Sequence, residues 1–523
     1  MASGLPPRAK PRYGEGMRLP IALVALALLP ACSSDKNSGG DDLAACEQSE
    51  FDLKGCNVAS LDAFASGGPF NLQLTNTDGT PAGVAGMALD PTGAHSTFFG
   101  QQQDVQVKLG GGTFFASAPF NINGTDGQVS IAGCEATSGR QLRGFFRRCN
   151  VGFNSVEGTF VAEQLVRRDG EAESSGNLQL VAERPLSGAL ATSLYVSGNT
   201  AYVIAENTGI FRYDITDPTN PTSLDSVTIA ARKDLVGTTD RWASVAVVGD
   251  NLFVTSDVRG LLVFNLKNLA SAALVLPASI ADARALNNLH YDAAKDHLYG
   301  FSQESGGVLA YGTPGATPTL LGNYLSGASP STGDAPLDGA ARGDFLYLSH
   351  GTAGLVVLNV SKPEAPVRVG VLPAANNSRT LVLGDYPSNK VYAFETGAFW
   401  GSKVRVLDVT NPLNMSAVGP GYATRDAVPV SRMAFANNSL YVAYAQDGLR
   451  VLDVSNPASP VQKAYFNTWR ASDPGHGLRF TEGATGVALG SNGYVYVADT
   501  TRGLMVFREG AGAAGSAQGG AAR

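Results

Sequence analysis

The sequence predicts an all-β protein, a seven-bladed β-propeller preceded by a small disulfide-stapled β-sandwich or barrel domain. Three observations support this prediction. Gly accounts for 62 of 523 residues, so turns are frequent. Apolar and polar residues alternate in short runs, which is the pattern of half-buried strands. From residue 178 onward a module recurs seven times at spacings of 45 to 55 residues, and short strands repeated at this period are typical of propeller blades.

The overall composition excludes two classes of protein. The 38 Lys and Arg residues are outnumbered by 45 Asp and Glu residues, giving a formal net charge of −7, so a polybasic nucleic-acid binder is excluded and no nucleic-acid partner is expected. Hydrophobic residues make up 44% of the chain. This content is enough to bury sizeable cores, which excludes disorder over most of the sequence.

The N-terminus predicts an export signal. Met17 and Arg18 precede an apolar run over residues 19–31, which is too short for a membrane-spanning helix of roughly 20 residues. A short basic start, an apolar run and a small residue form the secretory pattern. We therefore expect residues 1–31 to be a signal peptide and residues 32–44, rich in polar and small residues, to be a flexible tether.

The end of this segment, Leu29-Pro30-Ala31-Cys32, resembles a bacterial lipobox. The resemblance implies that Cys32 is acylated and becomes the first residue of a lipoprotein held to a membrane of the bacterial cell envelope. Ser33 after the cysteine resembles signals that direct lipoproteins to the outer membrane. A cleaved signal peptide followed by an incidental cysteine is the alternative.

Residues 45–166 predict the small β-domain, with alternating runs such as Phe70–Leu74. The other cysteines of the chain all lie in this region, at Cys46, Cys56, Cys134 and Cys149. Export makes disulfides the expected state, and four cysteines allow three pairings. Sequence proximity favours Cys46–Cys56 with Cys134–Cys149. Zinc is the rival interpretation, but there is no C-x-x-C spacing and no histidine beside these cysteines.

A polar stretch, residues 167–177, predicts a linker to the propeller at 178–509. Each module of the propeller contains a strand with an aromatic residue at a fixed place, namely Tyr202, Phe253, Tyr299, Tyr347, Tyr392, Tyr441 and Tyr496. We expect these rings to pack between neighbouring blades, and a ligand-stacking role is the alternative. The third strand of most modules ends in Asp or Asn, which accepts a backbone N–H bond two residues on: Asp214, Asn265, Asn359, Asp408 and Asp453.

The seventh module ends after its third strand, at Arg508, and therefore lacks a fourth. Residues 177–183 have the pattern of the fourth strands in other modules. We expect this N-terminal strand to complete the last blade and close the ring, which removes exposed strand edges. Residues 510–523 are almost wholly Gly, Ala, Ser and Gln, and predict a disordered tail.

The run from Gly448 to Pro457, GLRVLDVSNP, resembles the LVIVD repeat of bacterial cell-surface β-propellers. Similar runs lie at residues 354–363 and 404–412. The resemblance covers residues 178–508 and implies a propeller fold and a cell-surface location. It does not imply a particular reaction or ligand.

The usual local signatures of catalysis are missing from the sequence. There is no G-x-S-x-G, H-E-x-x-H, C-x-x-C or Walker motif, and the one G-x-G-x-x-G match, at residues 510–515, lies in the Gly/Ala-rich tail. We therefore predict no catalytic residues, no metal and no cofactor.

The face that carries the loops between strands four and one, and between strands two and three, is where seven blades bring loop residues together, and loops carry function. Near them lie Trp242 and Trp400, which either stack on a sugar or aromatic ligand or pack between blades. The polar residues predicted to form a binding funnel on this face are Arg241, His290, Asp338, His350, Arg379, Glu395, Arg432 and Glu482. Ordinary solvated loop residues are the alternative.

The predicted function is that of a surface-anchored lipoprotein whose propeller binds or scaffolds a protein or glycan of the cell envelope. Arg241, Arg379 and Arg432 would suit an anionic group, because a guanidinium matches a carboxylate in shape and charge. The alternative function is a propeller enzyme, a lyase or hydrolase, that uses His and carboxylate side chains of the funnel.

Overall fold

The protein is described by a computed structural model. The predicted signal peptide, Cys32, most of the tether and the tail after residue 510 lie outside the described residues. None of the helices in the described part is long and apolar enough to cross a membrane. The described residues are 43–64, 67–90, 95–122, 125–152, 155–232, 240–273, 285–303, 306–312, 318–325, 334–374, 377–397, 399–473 and 476–510.

The N-terminal unit is one antiparallel sheet of eight strands that forms an open half-barrel. Its strands are β1 (Gly68–Asn76), β2 (Pro81–Leu89), β3 (Thr97–Phe98), β4 (Gln106–Leu109), β5 (Phe114–Ile122), β6 (Thr125–Ser138), β7 (Gln141–Asn150) and β8 (Val156–Gln164). They are arranged in the order β3-β2-β1-β8-β7-β6-β5-β4. Three 3-10 turns precede them: Ala44–Cys46, Gln48–Glu50 and Val58–Ala63. Alternating apolar residues such as Phe70, Leu72 and Leu74 point into the main core of this unit.

Two disulfides join the N-terminal turns to this sheet, as predicted, but the predicted pairing is wrong. The bonds are Cys46–Cys149 and Cys56–Cys134, with Cα–Cα distances of 6.0 and 4.8 Å. The turns pack across β6 and β7, so each N-terminal cysteine meets a strand cysteine rather than its neighbour in sequence. The bridges therefore close long loops and fix the N-terminal segment on the sheet.

The second unit is the predicted seven-bladed propeller. Two strands precede its first complete blade, β9 (Ser174–Ser175) and β10 (Leu178–Arg184). Blade one has β11 (Ser193–Ser197), β12 (Thr200–Ala205), β13 (Gly209–Asp214), β14 (Thr222–Ser223) and β15 (Val227–Thr228), and a 3-10 turn, Ala230–Arg232, follows. Blade two has β16 (Val245–Val248), β17 (Asn251–Ser256), β18 (Gly260–Asn265) and β19 (Asn268–Ala273). Blade three has β20 (Asn288–Asp292), β21 (His297–Ser302), β22 (Gly307–Gly312) and β23 (Thr319–Leu325).

The remaining blades follow the same plan. Blade four has β24 (Asp338–Arg342), β25 (Phe345–His350), β26 (Gly354–Asn359) and β27 (Val367–Leu372). Blade five has β28 (Ser378–Tyr386), the 3-10 turn Pro387–Asn389, β29 (Lys390–Gly397), β30 (Val404–Asp408) and β31 (Ser416–Tyr422). Blade six has β32 (Arg432–Ala436), β33 (Ser439–Ala443), β34 (Leu449–Asp453) and β35 (Val461–Phe466), and β9 pairs with its outer edge. Blade seven has β36 (Ala484–Leu489), β37 (Val495–Asp499) and β38 (Gly503–Glu509).

The ring closes as predicted. The first strands of adjacent blades contact one another around the whole ring, including blade seven against blade one. Strand β10 is the fourth strand of blade seven, and it pairs antiparallel with β38, with Leu178 opposite Glu509 and Arg184 opposite Leu504. The last blade is therefore built from both ends of the propeller sequence, which joins those ends by main-chain hydrogen bonds.

The repeated residues have the predicted roles. The Asp214 carboxylate accepts a bond from the Thr216 backbone N–H at 2.8 Å, and Asn265, Asn359, Asp408 and Asp453 make the same bond two residues on. Each marker aromatic packs in an apolar cluster shared with the following blade. These seven clusters form the core of the propeller.

The turn that follows the third strand of one blade packs on a glycine in the outer strand of the preceding blade. A Cβ atom on Gly370 of β27 would lie 2.2 Å from the Pro412 carbonyl oxygen, and one on Gly322 of β23 would lie 2.5 Å from that of Pro363. Gly419 meets the Ala458 carbonyl in the same way. The turn after the third strand thus packs directly on the backbone of the preceding blade, which no larger residue allows.

The half-barrel packs against the loop face of the propeller, which the sequence did not indicate. The buried Asn71 side-chain amide on β1 donates to the carbonyl oxygens of Ala427 at 2.7 Å and Phe480 at 3.2 Å. The Thr97 hydroxyl on β3 donates to the His476 carbonyl at 3.0 Å. These contacts join the N-terminal unit to the loops that enter blades six and seven.

The linker is held as well. Glu171 accepts two bonds from the Arg450 guanidinium on β34, both at 2.9 Å, and the Arg450 side chain is fully buried. Such a planar, two-point pair fixes both position and orientation. The two units are therefore fixed to each other through the linker as well as through the loop face.

Candidate functional site

Four of the predicted funnel residues meet at the central mouth of the loop face: Arg241, Asp338, Arg379 and Arg432. Asp338 and Arg432 begin the inner strands β24 and β32, and Arg379 is the second residue of the inner strand β28. Inner strands of neighbouring blades run side by side, so residues at their starts converge on one ring around the axis.

Asp338 connects four blades. Its carboxylate accepts a bond from the Asn288 amide of blade three at 2.9 Å and from the Thr380 hydroxyl of blade five at 2.5 Å. The Arg432 guanidinium of blade six lies 3.8 Å from the same carboxylate. Asp338 thereby positions Arg432 at the mouth, with 28% of the arginine side chain still exposed.

A second carboxylate group surrounds Arg241. The Arg241 guanidinium donates to Asp257 at 2.7 Å and lies 4.0 Å from Glu206, which also accepts a bond from Arg479 at 3.2 Å. Burial alone would lower the pKa of Arg241. The bond to Asp257 and the charge of Glu206 outweigh this effect, so the pKa of Arg241 is raised. Arg241 is thus an arginine already held by two carboxylates.

Behind Arg241 lies a buried carboxyl group. Burial, together with a hydrogen bond that protonated Asp240 donates to Asp257, raises the pKa of Asp240 to about 6. Asp240 accepts bonds from the Ser256 hydroxyl and the Trp242 indole N–H, both at 2.8 Å. Trp242 is fully buried and packs on Phe264, so it belongs to the interblade core rather than to a stacking surface.

Arg379 differs from the other arginines of the mouth. Within the described ranges, no residue forms a hydrogen bond or ion pair with its guanidinium. Burial lowers the pKa of Arg379, the nearby charge of Arg432 lowers it further, and Glu206 and Asp338 act in the opposite direction. The mouth therefore contains a guanidinium that repels its neighbour and lacks a counterion in the described part of the chain.

The other four predicted residues lie outside this cluster. His290 accepts a bond at Nε2 from the Ala341 backbone N–H at 3.0 Å, which joins blades three and four. His350 is buried and its Nδ1 lies 2.7 Å from Asp334. Glu395 is buried and pairs with Arg405 at 2.7 Å. Each of these three residues joins structural elements rather than lining the mouth.

Glu482, the fourth, organises the loop that contacts the half-barrel. Its carboxylate accepts the backbone N–H groups of Gly477, Leu478 and Arg479 at 2.8 to 3.1 Å. It also lies 3.2 Å from Nδ1 of His476, whose Nε2 lies 2.6 Å from the Arg470 carbonyl. Burial alone would lower the pKa of His476. The hydrogen bond and charge of Glu482 outweigh this effect, so the pKa of His476 is raised.

Three residues of the mouth were missed by the sequence analysis: Asn288, Thr380 and Arg479. Asn288 begins β20 and Thr380 lies near the start of β28, so both occupy inner-strand positions like that of Asp338. A fixed offset from the marker aromatic does not find these two, because Asp338 and Arg432 lie nine residues before theirs, whereas Asn288 lies eleven before Tyr299 and Thr380 twelve before Tyr392. Arg479 lies in the long loop before blade seven, where the sequence carries no repeat signal.

A separate cleft lies between the two units. It has a volume of about 410 Å³ and is lined by Ser138, Arg140, Gln141, Glu163, Gln164, residues 166–169 and Arg425. Burial raises the pKa of Glu163 in this cleft, although Arg425 opposes the shift. Arg425 itself pairs with Asp447 at 2.6 Å, and Arg168 pairs with Glu171 at 2.9 Å. No group of three or more His, Cys, Asp or Glu residues suited to a metal ion occurs among the described residues.

Fold and repeats together define a seven-bladed β-propeller. The chain carries LVIVD repeats: that family matches residues 188–228, 337–372, 430–468 and 484–507. No curated protein matches the chain. Similar solved structures include a chain of the mitotic checkpoint complex, 11% identical with a TM-score of 0.47, covering 66% of this chain and 95% of that one. The computationally designed Ika8 protein is 12% identical with a TM-score of 0.40, covering 75% and 96%.

Proposed function

We propose that this protein is a non-catalytic binding or scaffolding module of the bacterial cell envelope, and that its partner binds at the loop face of the propeller. The observation that carries the proposal is the mouth itself. Asp338 ties blades three to six together there, and Arg379 remains without a counterion within the described ranges. A preorganised polar site on a rigid scaffold is suited to recognition.

The half-barrel supports the same proposal. It contacts the loops that enter blades six and seven through Asn71 and Thr97, on the same face as the mouth. A partner that reaches the mouth would therefore meet both units, which gives a larger and more selective surface than the propeller face alone.

A binding experiment tests the proposal. The full chain carrying Cys32→Ala is immobilised and exposed to separate protein and glycan fractions of the cell envelope. Hydrogen exchange of the protein then maps where the retained material binds. We expect retention, with protection of the loops at residues 338, 379 and 432. The turns at Pro363 and Pro412, on the opposite face, serve as the internal control. No retention, protection confined to the opposite face, or chemical turnover of the retained material would contradict the proposal.

The membrane attachment forms the second part of the proposal. Two or three acyl chains on Cys32 would give stable attachment, whereas one chain alone gives marginal binding. We expect Cys32→Ala to move the protein from the detergent phase to the aqueous phase, while Ser33→Ala leaves it in the detergent phase. Equal partitioning of the wild type and Cys32→Ala would show that Cys32 carries no anchor.

A further inference from the structure

The mouth has a chemical asymmetry that points to a class of ligand. Arg241 pairs with Asp257 and Glu206. The Arg432 guanidinium lies 3.8 Å from the Asp338 carboxylate. Arg379 alone among these arginines has no ion pair in the described part of the chain. The Arg379 side chain is half-buried, and a guanidinium that is partly removed from water without a counterion is costly, so a bound anion would stabilise it.

A carboxylate fits this pair of arginines. A guanidinium presents two parallel N–H groups that match the two oxygens of a carboxylate. Arg379 precedes Thr380, whose hydroxyl bonds the same Asp338 carboxylate from which Arg432 lies 3.8 Å, and the strands that carry the two arginines are in contact. The charge of Arg432 lowers the pKa of Arg379, so a single anion between them would relieve both. Arg432 is already steadied by Asp338, which leaves its remaining donors free to reach such an anion.

The carboxylates of the mouth favour an acidic sugar over an acidic peptide. Asp338 and Glu206 accept hydrogen bonds only, and sugar hydroxyls supply the donors that match them. A peptide offers one backbone N–H donor per residue, whereas a sugar residue offers several hydroxyl donors. The mouth residues described above, Asn288, Thr380, Asp338 and the arginines, are all polar.

We propose that the mouth binds a uronic acid residue of an acidic glycan, with Arg379 and Arg432 receiving its carboxylate. This inference rests on the proposed function, because it names the ligand class of the same face. Asp338 acts as a positioning residue, since it orients Arg432 and joins blades three, five and six around the bound group.

Calorimetric titration of the full chain carrying Cys32→Ala tests the inference. The probes are trigalacturonate, its methyl ester and a hexapeptide of glutamate. We expect trigalacturonate to bind, the methyl ester to lose binding and the peptide to bind at least tenfold more weakly. Binding of the peptide in preference to the sugar, or of ester and acid alike, would overturn the inference.

Two arginine variants sharpen the test. Arg379→Ala should weaken trigalacturonate binding by about ten- to a hundredfold, because a hydrogen bond to a charged group is worth roughly 1.5–3 kcal/mol. Arg379→Lys keeps the charge but loses the planar fork, and should recover only part of the affinity. The control is Arg259→Ala, an exposed arginine in the loop after β17 on the same face, which should bind like the wild type.

A melting curve separates binding from a structural role. Since Arg379 has no ion pair within the described ranges and is repelled by Arg432, Arg379→Ala should melt at the same temperature as the wild type or higher. A lowered melting temperature with unchanged affinity would make Arg379 structural and overturn the inference.

If the envelope fractions are retained equally by Arg379→Ala, this inference fails while the proposed function stands. If nothing is retained by the wild type, the proposed function itself fails.

Discussion

Asn71 donates its side-chain amide to the backbone carbonyl oxygen of Ala427, 356 positions later in the chain, at 2.7 Å. The same amide reaches the Phe480 carbonyl at 3.2 Å, and the Asn71 side chain is fully buried. A single strand residue of the half-barrel therefore connects the loops that enter blades six and seven. This donor is one of the contacts that fix the N-terminal unit on the propeller, together with Thr97 and the linker residue Glu171.

Asn71→Asp should separate the two units. The substitution keeps the shape of the side chain but places a carboxylate against carbonyl oxygens, and each buried group left unsatisfied costs about 1–3 kcal/mol. We expect a lower melting temperature and faster proteolysis of the linker at residues 167–177. Asn76→Asp, at the exposed end of the same strand, is the control and should change neither. Equal cleavage of both variants would mean that the interface does not form in solution.

Leu178→Ala tests the closure of the ring. Leu178 is 3% exposed and packs between blades six and seven, so its truncation should destabilise the fold by about 2–5 kcal/mol. Gln179→Ala, on the next residue and facing solvent, should cost less than about 0.5 kcal/mol. Denaturant unfolding measures both. Similar losses for the two variants would show that β10 does not complete blade seven.

Gly370→Ala tests the contact between a turn and the preceding blade. The added methyl group would lie 2.2 Å from the Pro412 carbonyl oxygen, so the backbone must shift, at a cost of about 1–3 kcal/mol. Gly139→Ala is a matched control, because the nearest atom to its Cβ is 3.5 Å away. Thermal melts should separate the two variants. If Gly370→Ala melts like Gly139→Ala, the turns are not packed as described.

The His476 imidazole predicts a pH dependence of stability. Because Glu482 raises its folded pKa above the ordinary value of about 6.5, its stabilising effect is complete below that pH and is lost as the pH rises through the folded pKa. The melting difference between the wild type and His476→Gln should therefore shrink from about pH 5.5 to about pH 8.5. His95→Gln, at an exposed position, is the control. A difference that stays constant with pH would contradict the role of protonation.

Local sequence predicted most of the propeller because its repeated features act locally. An Asp or Asn at the end of a strand bonds to the backbone two residues away, whatever surrounds it. An aromatic residue at a fixed place, such as Tyr202, always faces the next blade, since side chains alternate along a strand. Ring closure could be predicted because the sequence of blade seven lacks a fourth strand, which residues 178–184 supply.

Contacts between distant segments were not predictable in the same way. The cysteine pairing depends on which strands the N-terminal turns cross, and spacing along the chain does not contain this information. Glu395 follows the same pattern as other residues at the ends of second strands, but it is buried and pairs with Arg405 on the neighbouring strand of its own blade. The contact of the half-barrel with the loop face includes Asn71, which in the sequence is an ordinary polar residue of an alternating strand.

The most direct measurement of the central claim is a crystal structure of the protein soaked with trigalacturonate. We predict one sugar carboxylate within hydrogen-bond distance, about 3 Å, of both Arg379 and Arg432, with sugar hydroxyls facing Asp338. Density for the sugar in the cleft beside Arg425, or on the opposite face of the propeller with an empty mouth, would contradict the claim that this mouth is the binding site.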